Sequence, residues 1–207
     1  MAVNVDGITV TSGYGGTIIQ GANSITVSGA ASFGGGTFTG GAADIIIGGA
    51  FTISGTAFTS TSAAMELQGD AAFTSGSFTH HNGLVRFNDA AAENITGTSP
   101  DFYDLEFTGR GSSYTISSTG NIDVANSLII SGTSSYTLNA GTINLSGDLN
   151  LTNTATGDGG TTTIAFVGTT DQDIISALPV NENSLPAIRI NKSGGTLRFP
   201  ALITICG

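Results

Sequence analysis

Residues 25–39 read ITVSGAASFGGGTFT, and two further copies of this pattern follow at a spacing of 20. Residues 45–59 read IIIGGAFTISGTAFT, and residues 65–79 read MELQGDAAFTSGSFT. A fourth copy begins at Val85-Arg86-Phe87. A short fixed period with alternating apolar residues is typical of a solenoid, in which each repeat buries its apolar side only against its neighbours. The pattern therefore predicts an elongated stack of coils.

Within each copy, apolar residues alternate with polar ones, which indicates β-strands. Ile25 and Val27 are expected to point inward, whereas Thr26 and Ser28 are expected to face outward. If successive coils pair in parallel, equivalent residues stack in interior columns. One such column contains Phe38, Phe58 and Phe78, and another contains Val27, Ile47, Leu67 and Phe87.

Short polar segments separate the strands and are predicted to be corners, because glycine readily takes the positive φ angles of a tight turn. These segments are Gly34-Gly35-Gly36, Ser54-Gly55-Thr56 and Thr74-Ser75-Gly76. Downstream the spacing drifts to 21, since Ile122, Ile143 and Ile164 open successive coils. Residues 90–93, AAAE, are the only candidate for a helical turn. The sequence predicts an all-β, single-stranded, right-handed parallel β-solenoid (β-helix) of about ten coils, with 20–21 residues per coil and almost no helix.

One continuous solenoid is predicted for residues 1–207, and a longer repeat overlies the short one. This longer repeat relates residues 80–160 to residues 161–207. FNDAAAENI at 87–95 aligns with FVGTTDQDI at 166–174, at a spacing of 79. The alignment continues to residue 199 if a four-residue insertion near Pro179 to Ser184 is allowed, and this insertion is expected to bulge outward.

The composition excludes several classes of partner. Fifteen acidic against five basic residues give a formal net charge of −10, which opposes binding to nucleic acid or to an anionic membrane surface. No segment approaches the roughly 20 apolar residues needed to cross a bilayer, and residues 1–20 do not read as a signal peptide. The single cysteine, Cys206, excludes an intrachain disulfide framework and a cysteine-rich metal site.

The run Phe87-Asn88-Asp89, then Ile95-Thr96-Gly97, then FYDLEF at 102–107 resembles a recurring unit of large bacterial adhesin-like, exported surface proteins. The resemblance extends over roughly residues 80–200, and Gln172-Asp173-Ile174 lies in a second copy of the unit. Glu93 stands where this unit is expected to have a glutamine. The resemblance implies a long β-solenoid stalk that projects from the cell, with a mechanical role and no catalytic residues to transfer.

These observations predict a noncatalytic extracellular or cell-surface protein of bacteria, a structural or adhesin-like stalk that spaces or presents binding regions. It is expected to be no enzyme and to need no cofactor. Expected partners are further repeats of the same protein, or copies of itself, and cell-surface glycan or a host surface. Strand patterns at 3–10 and 202–205 are uncapped, so a filament of subunits stacked end to end is an alternative.

A second alternative is an ice-binding or glycan-binding solenoid, because a flat array of threonines can order water. The candidate outward array is Thr37, Thr39, Thr59 and Thr79. The neighbouring outward column reads Thr26, Ile46, Glu66 and Arg86, which breaks the regularity that such a face requires.

No set of residues predicts a catalytic or metal site. Arg86 falls one coil from Glu66, which predicts an outward ion pair, whereas an enzyme would need an acidic cleft with Arg86 or Arg110 at its floor. His80-His81 is expected in a corner, because adjacent strand residues point to opposite faces and cannot readily chelate one metal.

Two pairs of aspartates could offer oxygen ligands to calcium, namely Asp101 with Asp104 and Asp171 with Asp173. Neither pair has the glycine-punctuated ligand series of a calcium motif, so solvated acidic loops are predicted. Arg189 and Arg198 alternate with apolar residues and are predicted to face solvent.

Overall fold

The computed structural model describes residues 2–155, 159–176 and 185–199. It is an all-β solenoid of about nine turns built from stacked parallel strands, with no helix among the described residues. The predicted fold class and the expected number of coils are therefore confirmed. The insertion expected at 179–184, the strand expected at 202–205 and Cys206 lie outside the described residues.

The strands are short and every pairing between them is parallel. In chain order they are β1 (Val3–Val5), β2 (Ile8–Val10), β3 (Thr17–Ile19), β4 (Ile25–Val27), β5 (Ala31–Phe33), β6 (Thr37–Thr39), β7 (Ile45–Ile47), β8 (Phe51–Thr59), β9 (Ala64–Leu67), β10 (Ala71–Thr79), β11 (Leu84–Phe87), β12 (Glu93–Gly97), β13 (Asp101–Gly109), β14 (Ser112–Ser118), β15 (Ile122–Gly132), β16 (Tyr136–Asn139), β17 (Thr142–Leu145), β18 (Asp148–Leu151), β19 (Thr163–Phe166), β20 (Gln172–Ser176), β21 (Ala187–Ile190) and β22 (Leu197–Arg198).

Each turn of the chain passes over three faces. Face 1 consists of β1, β4, β7, β9, β11, the C-terminal parts of β13 and β15, then β18, β20 and β22. Face 2 consists of β2, β5, the first parts of β8 and β10, then β12, β14 and β16. Face 3 consists of β3, β6, the second parts of β8 and β10, the first parts of β13 and β15, then β17, β19 and β21.

The predicted registers are confirmed on two faces. On face 3, Phe38 pairs with Phe58 and Phe58 with Phe78, and their rings stack almost parallel with centroids 4.4 Å and 5.8 Å apart. On face 1, the column predicted from Val27 to Phe87 runs in register. Because these side chains are buried, the core is continuous from coil to coil.

The glycine-containing corners lie between face 2 and face 3. Gly36 and Gly76 adopt positive φ angles of 70° and 87°, which an L side chain rarely takes. Thr56 stands at the equivalent position of the intervening coil, and its buried hydroxyl donates to the carbonyl oxygen of Gly35 at 2.8 Å. The helical turn considered for 90–93 is wrong, since these residues form a corner that leads into β12 at Glu93.

The two copies of the 79-residue repeat lie on different faces. Phe87 pairs with Leu67 and Phe107 on face 1, whereas Phe166 pairs with Leu145 and Ile190 on face 3. The second copy is therefore displaced along the axis and also rotated by one face, so equivalent corners of the two copies point in different directions.

Candidate functional surfaces

The predicted threonine array lies on the outer side of face 3. Its rows are Thr37 with Thr39, Ala57 with Thr59, and Ser77 with Thr79, in register across β6, β8 and β10. Thr17 and Ile19 form a further row on β3. Among the described residues, no hydrogen bond occupies the hydroxyl groups of the four array threonines, which leaves them free to bind water. The array rests on the stacked Phe38, Phe58 and Phe78 rings.

The outward column of Thr26, Ile46, Glu66 and Arg86, which was predicted to neighbour this array, lies on face 1. Glu66 and Arg86 project from β9 and β11 on face 1, so they do not interrupt the threonine rows. The predicted Arg86–Glu66 ion pair is present at 3.9 Å, but Arg86 Nε lies closer to Glu106, at 2.6 Å from Oε2. Ser131 donates its hydroxyl to the other oxygen of Glu106. Glu106 was missed as a partner, although it also lies 20 residues from Arg86.

His80 and His81 lie in the corner between β10 and β11, as predicted. His80 Nδ1 accepts a hydrogen bond from the Asn82 backbone at 3.3 Å, and its Nε2 is 3.9 Å from Asp101. Its ring also contacts Tyr103, with centroids 5.4 Å apart. In the described part of the chain, no three His, Cys, Asp or Glu side chains come together as a metal-binding group.

The paired aspartates have separate roles. Asp101 and Asp104 lie in strand β13, not in a loop as expected, because their segment spans the corner from face 3 to face 1. Asp104 accepts a hydrogen bond from Asn126 at 2.7 Å. Asp171 lies in a corner as expected, whereas Asp173 lies in strand β20. Both form ion pairs with Arg198, and hydrogen bonds from the Thr196 backbone and Arg198 lower the pKa of Asp171.

The four arginines lie on the outside of the rod, whereas Lys192 is half-buried. Arg189 and Arg198 are exposed, as predicted. Arg110 is also exposed and donates to the side-chain oxygen of Asn88 at 2.9 Å. Arg86 is held between two glutamates on an outward strand. Arg110 lines an open surface groove of about 470 Å³ together with Thr108, Gly132 and Ser134. None of the described residues that line it is acidic, so this groove is not the acidic cleft that an enzyme would need.

Buried polar side chains that the sequence reading missed fill the corners between faces. Gln20 donates to the carbonyl of Ala43 at 2.6 Å and accepts from the Gly41 backbone at 2.8 Å. Thr61 donates to the carbonyl of Ala43 at 2.6 Å. These side chains satisfy backbone groups that the turning chain cannot pair in a ladder. They follow no fixed period, which is why the repeat pattern did not reveal them.

Two further buried polar residues occupy equivalent positions of the 79-residue repeat. Gln172 is fully buried and donates to the carbonyl oxygens of Leu145 and Gly147. Glu93 is 1 % exposed, yet neither carboxylate oxygen has a hydrogen-bond partner in the described structure. Burial, with repulsion from Asp89 and Asp70, raises the pKa of Glu93 to about 8.

Open surface grooves of about 470, 360 and 300 Å³ lie along the rod. A smaller and more enclosed groove lies at the corner between face 2 and face 3, where Ser75, Ser77 and Ser99 surround the edges of Phe73 and Phe78. Its volume of about 130 Å³ is well below the roughly 300 Å³ at which ligand pockets begin. The groove therefore has room for only a few water molecules.

Comparisons with known proteins do not assign a role to these surfaces. In the ranges that the structure describes, no helix is both long and apolar enough to span a bilayer. No family model, no curated protein and no solved structure matches the chain.

Proposed function

We propose that the chain is a noncatalytic part of an exported, adhesin-like bacterial stalk that spaces or presents binding regions at the cell surface. The observation that carries the proposal is the unbroken column of equivalent residues on face 1. It runs from Val27 through Phe87 to Phe107 and Ile130 with one strand direction and one inward orientation. In such a stack, the number of coils sets the distance between the two ends.

The dimensions suit a spacer. About nine coils at a spacing of about 4.8 Å give a rod on the order of 40 Å long. Because the ladder hydrogen bonds run along this axis, stretching the rod loads many of them together. Many outer strand positions hold small hydroxyl residues, such as Thr26, Ser32 and Thr52. The resemblance of residues 80–200 to adhesin-like repeats supports a place in an exported protein whose neighbouring repeats are its partners.

Location and shape test the proposal. On intact cells of the organism that encodes the chain, an antibody against the rod should bind, and external protease should remove that signal. Small-angle X-ray scattering of the 207-residue chain should give an elongated particle. Antibody binding only after lysis would overturn the surface location, and glycan turnover by the purified chain would overturn the noncatalytic role.

A second candidate function, binding to ice, is favoured by the threonine array. Thr37, Thr39, Thr59 and Thr79 lie on one flat face with hydroxyl groups free of partners in the described structure. Regularly spaced hydroxyl and methyl groups on a rigid floor can hold water in an ordered layer.

Thermal hysteresis measures this activity. The parent chain should slow ice growth, and Thr59→Tyr should abolish the effect because its ring breaks the flat surface. Thr52→Tyr, on the outer side of face 2, is the matched control and should retain it. A parent chain without thermal hysteresis would dispose of this candidate.

A further inference from the structure

The corner around Glu93 contains an acid without a partner inside the rod. Residues 88–93 form this corner, here called the Glu93 corner, between face 1 and face 2. Glu93 is buried, and both of its carboxylate oxygens lack a hydrogen-bond partner among the described residues. An ionised carboxylate in this state is costly, because burial removes its water and the nearby Asp89 backbone N–H lowers its pKa by less than burial raises it.

The equivalent corner at residues 167–172, here called the Gln172 corner, has the same backbone plan. Asn88 N–H donates to the carbonyl of Leu67 at 3.0 Å at the start of the Glu93 corner, and Val167 N–H donates to the carbonyl of Leu145 at 2.9 Å in the other. The corners then place Glu93 and Gln172 at the start of β12 and β20. The two sites therefore compare an acid with an amide in one local fold.

In the Gln172 corner every polar atom of the side chain is engaged. The amide nitrogen donates to the carbonyl oxygens of Leu145 and Gly147 at 3.1 Å and 2.5 Å. The amide oxygen accepts from Lys192 Nζ at 2.5 Å. The position calls for a donor toward the preceding coil, which a glutamine supplies and an ionised glutamate cannot.

The Glu93 corner also lacks the lysine. Ile190 pairs with Phe166, and Lys192 lies two residues after Ile190. Phe107 pairs with Phe87 in the same way, so the residue at the place of Lys192 is Gly109. No ammonium group is therefore available at this position to balance a charge on Glu93.

The other charged and titratable groups around Glu93 do not stabilise its anion. The carboxylates of Asp89 in the same corner and Asp70 in the preceding coil raise its pKa further, whereas the backbone N–H of Asp89 lowers it by a smaller amount. Tyr114 of the following coil, which pairs with Glu93 in the ladder, donates its hydroxyl to the carbonyl of Thr108 at 2.7 Å. Arg110 of that coil is exposed and directed at Asn88. Burial and the nearby Glu93 also raise the pKa of Tyr114, which keeps its proton.

We propose that Glu93 is a neutral carboxylic acid in the folded rod, and that loss of its proton opens the Glu93 corner. The rod thus contains a pH-sensitive joint in its middle, whereas the Gln172 corner has an amide in place of the buried acid and stays closed. Burial sets the pKa of Glu93 at about 8, so the joint opens in mildly alkaline solution. The inference concerns the rod itself and does not depend on what the rod carries.

The first test is a direct titration of the chain labelled with carboxyl-¹³C glutamate. The chain has four glutamates, Glu66, Glu93, Glu106 and Glu182, and the signal missing from Glu93→Gln identifies Glu93. Its chemical shift should stay at the neutral value up to pH 7 and change near pH 8. A change in the ordinary acidic range of glutamate would overturn the proposal.

The second test is amide hydrogen exchange of the wild-type chain at pH 6.5 and pH 9, after correction for the intrinsic base-catalysed rate. Protection of residues 93–97 should fall at least tenfold, whereas protection of residues 172–176 should change less than twofold. Glu93→Gln should remove the difference between the two segments. Equal protection changes in both segments of the wild type would overturn the joint, and this measurement decides the matter even if the variant folds poorly.

Discussion

Residues 25–79 and residues 122–166 build the same three-faced coil with different cores. In the first region every coil advances by 20 residues, and phenylalanine rings line the interior of faces 2 and 3 beside an aliphatic face 1. In the second region the spacing is 21, and leucine and isoleucine line the interior. The buried leucine and isoleucine residues of the second region are Ile122, Leu128, Ile130, Leu138, Ile143, Leu145, Leu149, Leu151 and Ile164.

The comparison shows what an aromatic core demands. Phe58 stacks on Phe38 and Phe78, and meets Phe33 and Phe51 edge to face at 5.1 Å and 5.3 Å. The stacked arrangement accompanies coils of equal length: Phe102, which follows Phe78 by 24 residues, still contacts it, but at an interplanar angle of 56° where Phe58 and Phe78 have 11°. Leucine and isoleucine side chains have no rings that must meet at a preferred angle, so they still pack when a coil gains residues. A strict period in the sequence and an aromatic core therefore belong together.

The largest expected effect separates the two cores. Phe58→Ala should lower the free energy of unfolding by about 4 kcal/mol, and Leu149→Ala by about 3 kcal/mol. The extra loss reflects the edge-to-face contacts of Phe58 with its neighbours. Urea unfolding followed by circular dichroism measures both. Equal losses would show that the aromatic network adds nothing beyond burial.

Close approach between corners gives the next largest effect. A Cβ atom on Gly41 would lie 1.6 Å from the carbonyl oxygen of Gly21, and one on Gly147 would lie 1.6 Å from that of Asn126. Gly41→Ala should cost about 3 kcal/mol and Gly147→Ala about 2 kcal/mol, because the aliphatic coils adjust more easily.

Gly13→Ala is the matched control for both glycine variants, since a Cβ atom there meets no atom within 4 Å. It should leave the thermal unfolding midpoint of the chain unchanged. If Gly147→Ala costs more than Gly41→Ala, the greater tolerance assigned to the aliphatic region is wrong.

The pH dependence of stability follows from Glu93. Its pKa is about 8 in the folded chain and 4.5 as a free group, so the folded state holds the proton more tightly. The contribution of Glu93 to the free energy of unfolding should be constant below about pH 4.5, fall as the pH rises toward 8, and level off above it. Glu93→Gln should remove this fall, which amounts to about 3 kcal/mol by pH 7. Parallel curves for the two proteins between pH 4.5 and 8 would contradict this expectation.

The sequence predicted what is periodic and missed what is not. The columns through Phe38 and Val27 follow from spacing alone, because each coil repeats the same inward positions. The partner of Arg86 was only half found, since Glu66 and Glu106 lie equally far from it in the chain. The roles of Gln20 and Thr61 were not predicted, because each corner needs a side-chain donor at only one position and that position differs from coil to coil. The rotation of the 79-residue repeat by one face could not be predicted from the sequence, because it depends on the number of residues in each coil.

The smallest expected effect compares two arginines. Arg86 lies between Glu66 and Glu106, and Glu106 is buried. Arg86→Gln leaves that carboxylate with only the Ser131 hydroxyl as donor, so it should cost about 1 kcal/mol after allowance for the partial exposure of the pair.

Arg198 is the control, because it forms two ion pairs with exposed aspartates. Arg198→Gln should leave the thermal unfolding midpoint unchanged within error, since solvent and salt already screen these charges. Raising the salt concentration to about 1 M shortens the screening length to about 3 Å; it should narrow the difference between wild type and Arg86→Gln only slightly, because Glu106 is sheltered from solvent. A difference that disappears at this concentration would mean that the Arg86 pair is as exposed as that of Arg198, and that burial of Glu106 contributes nothing to its strength.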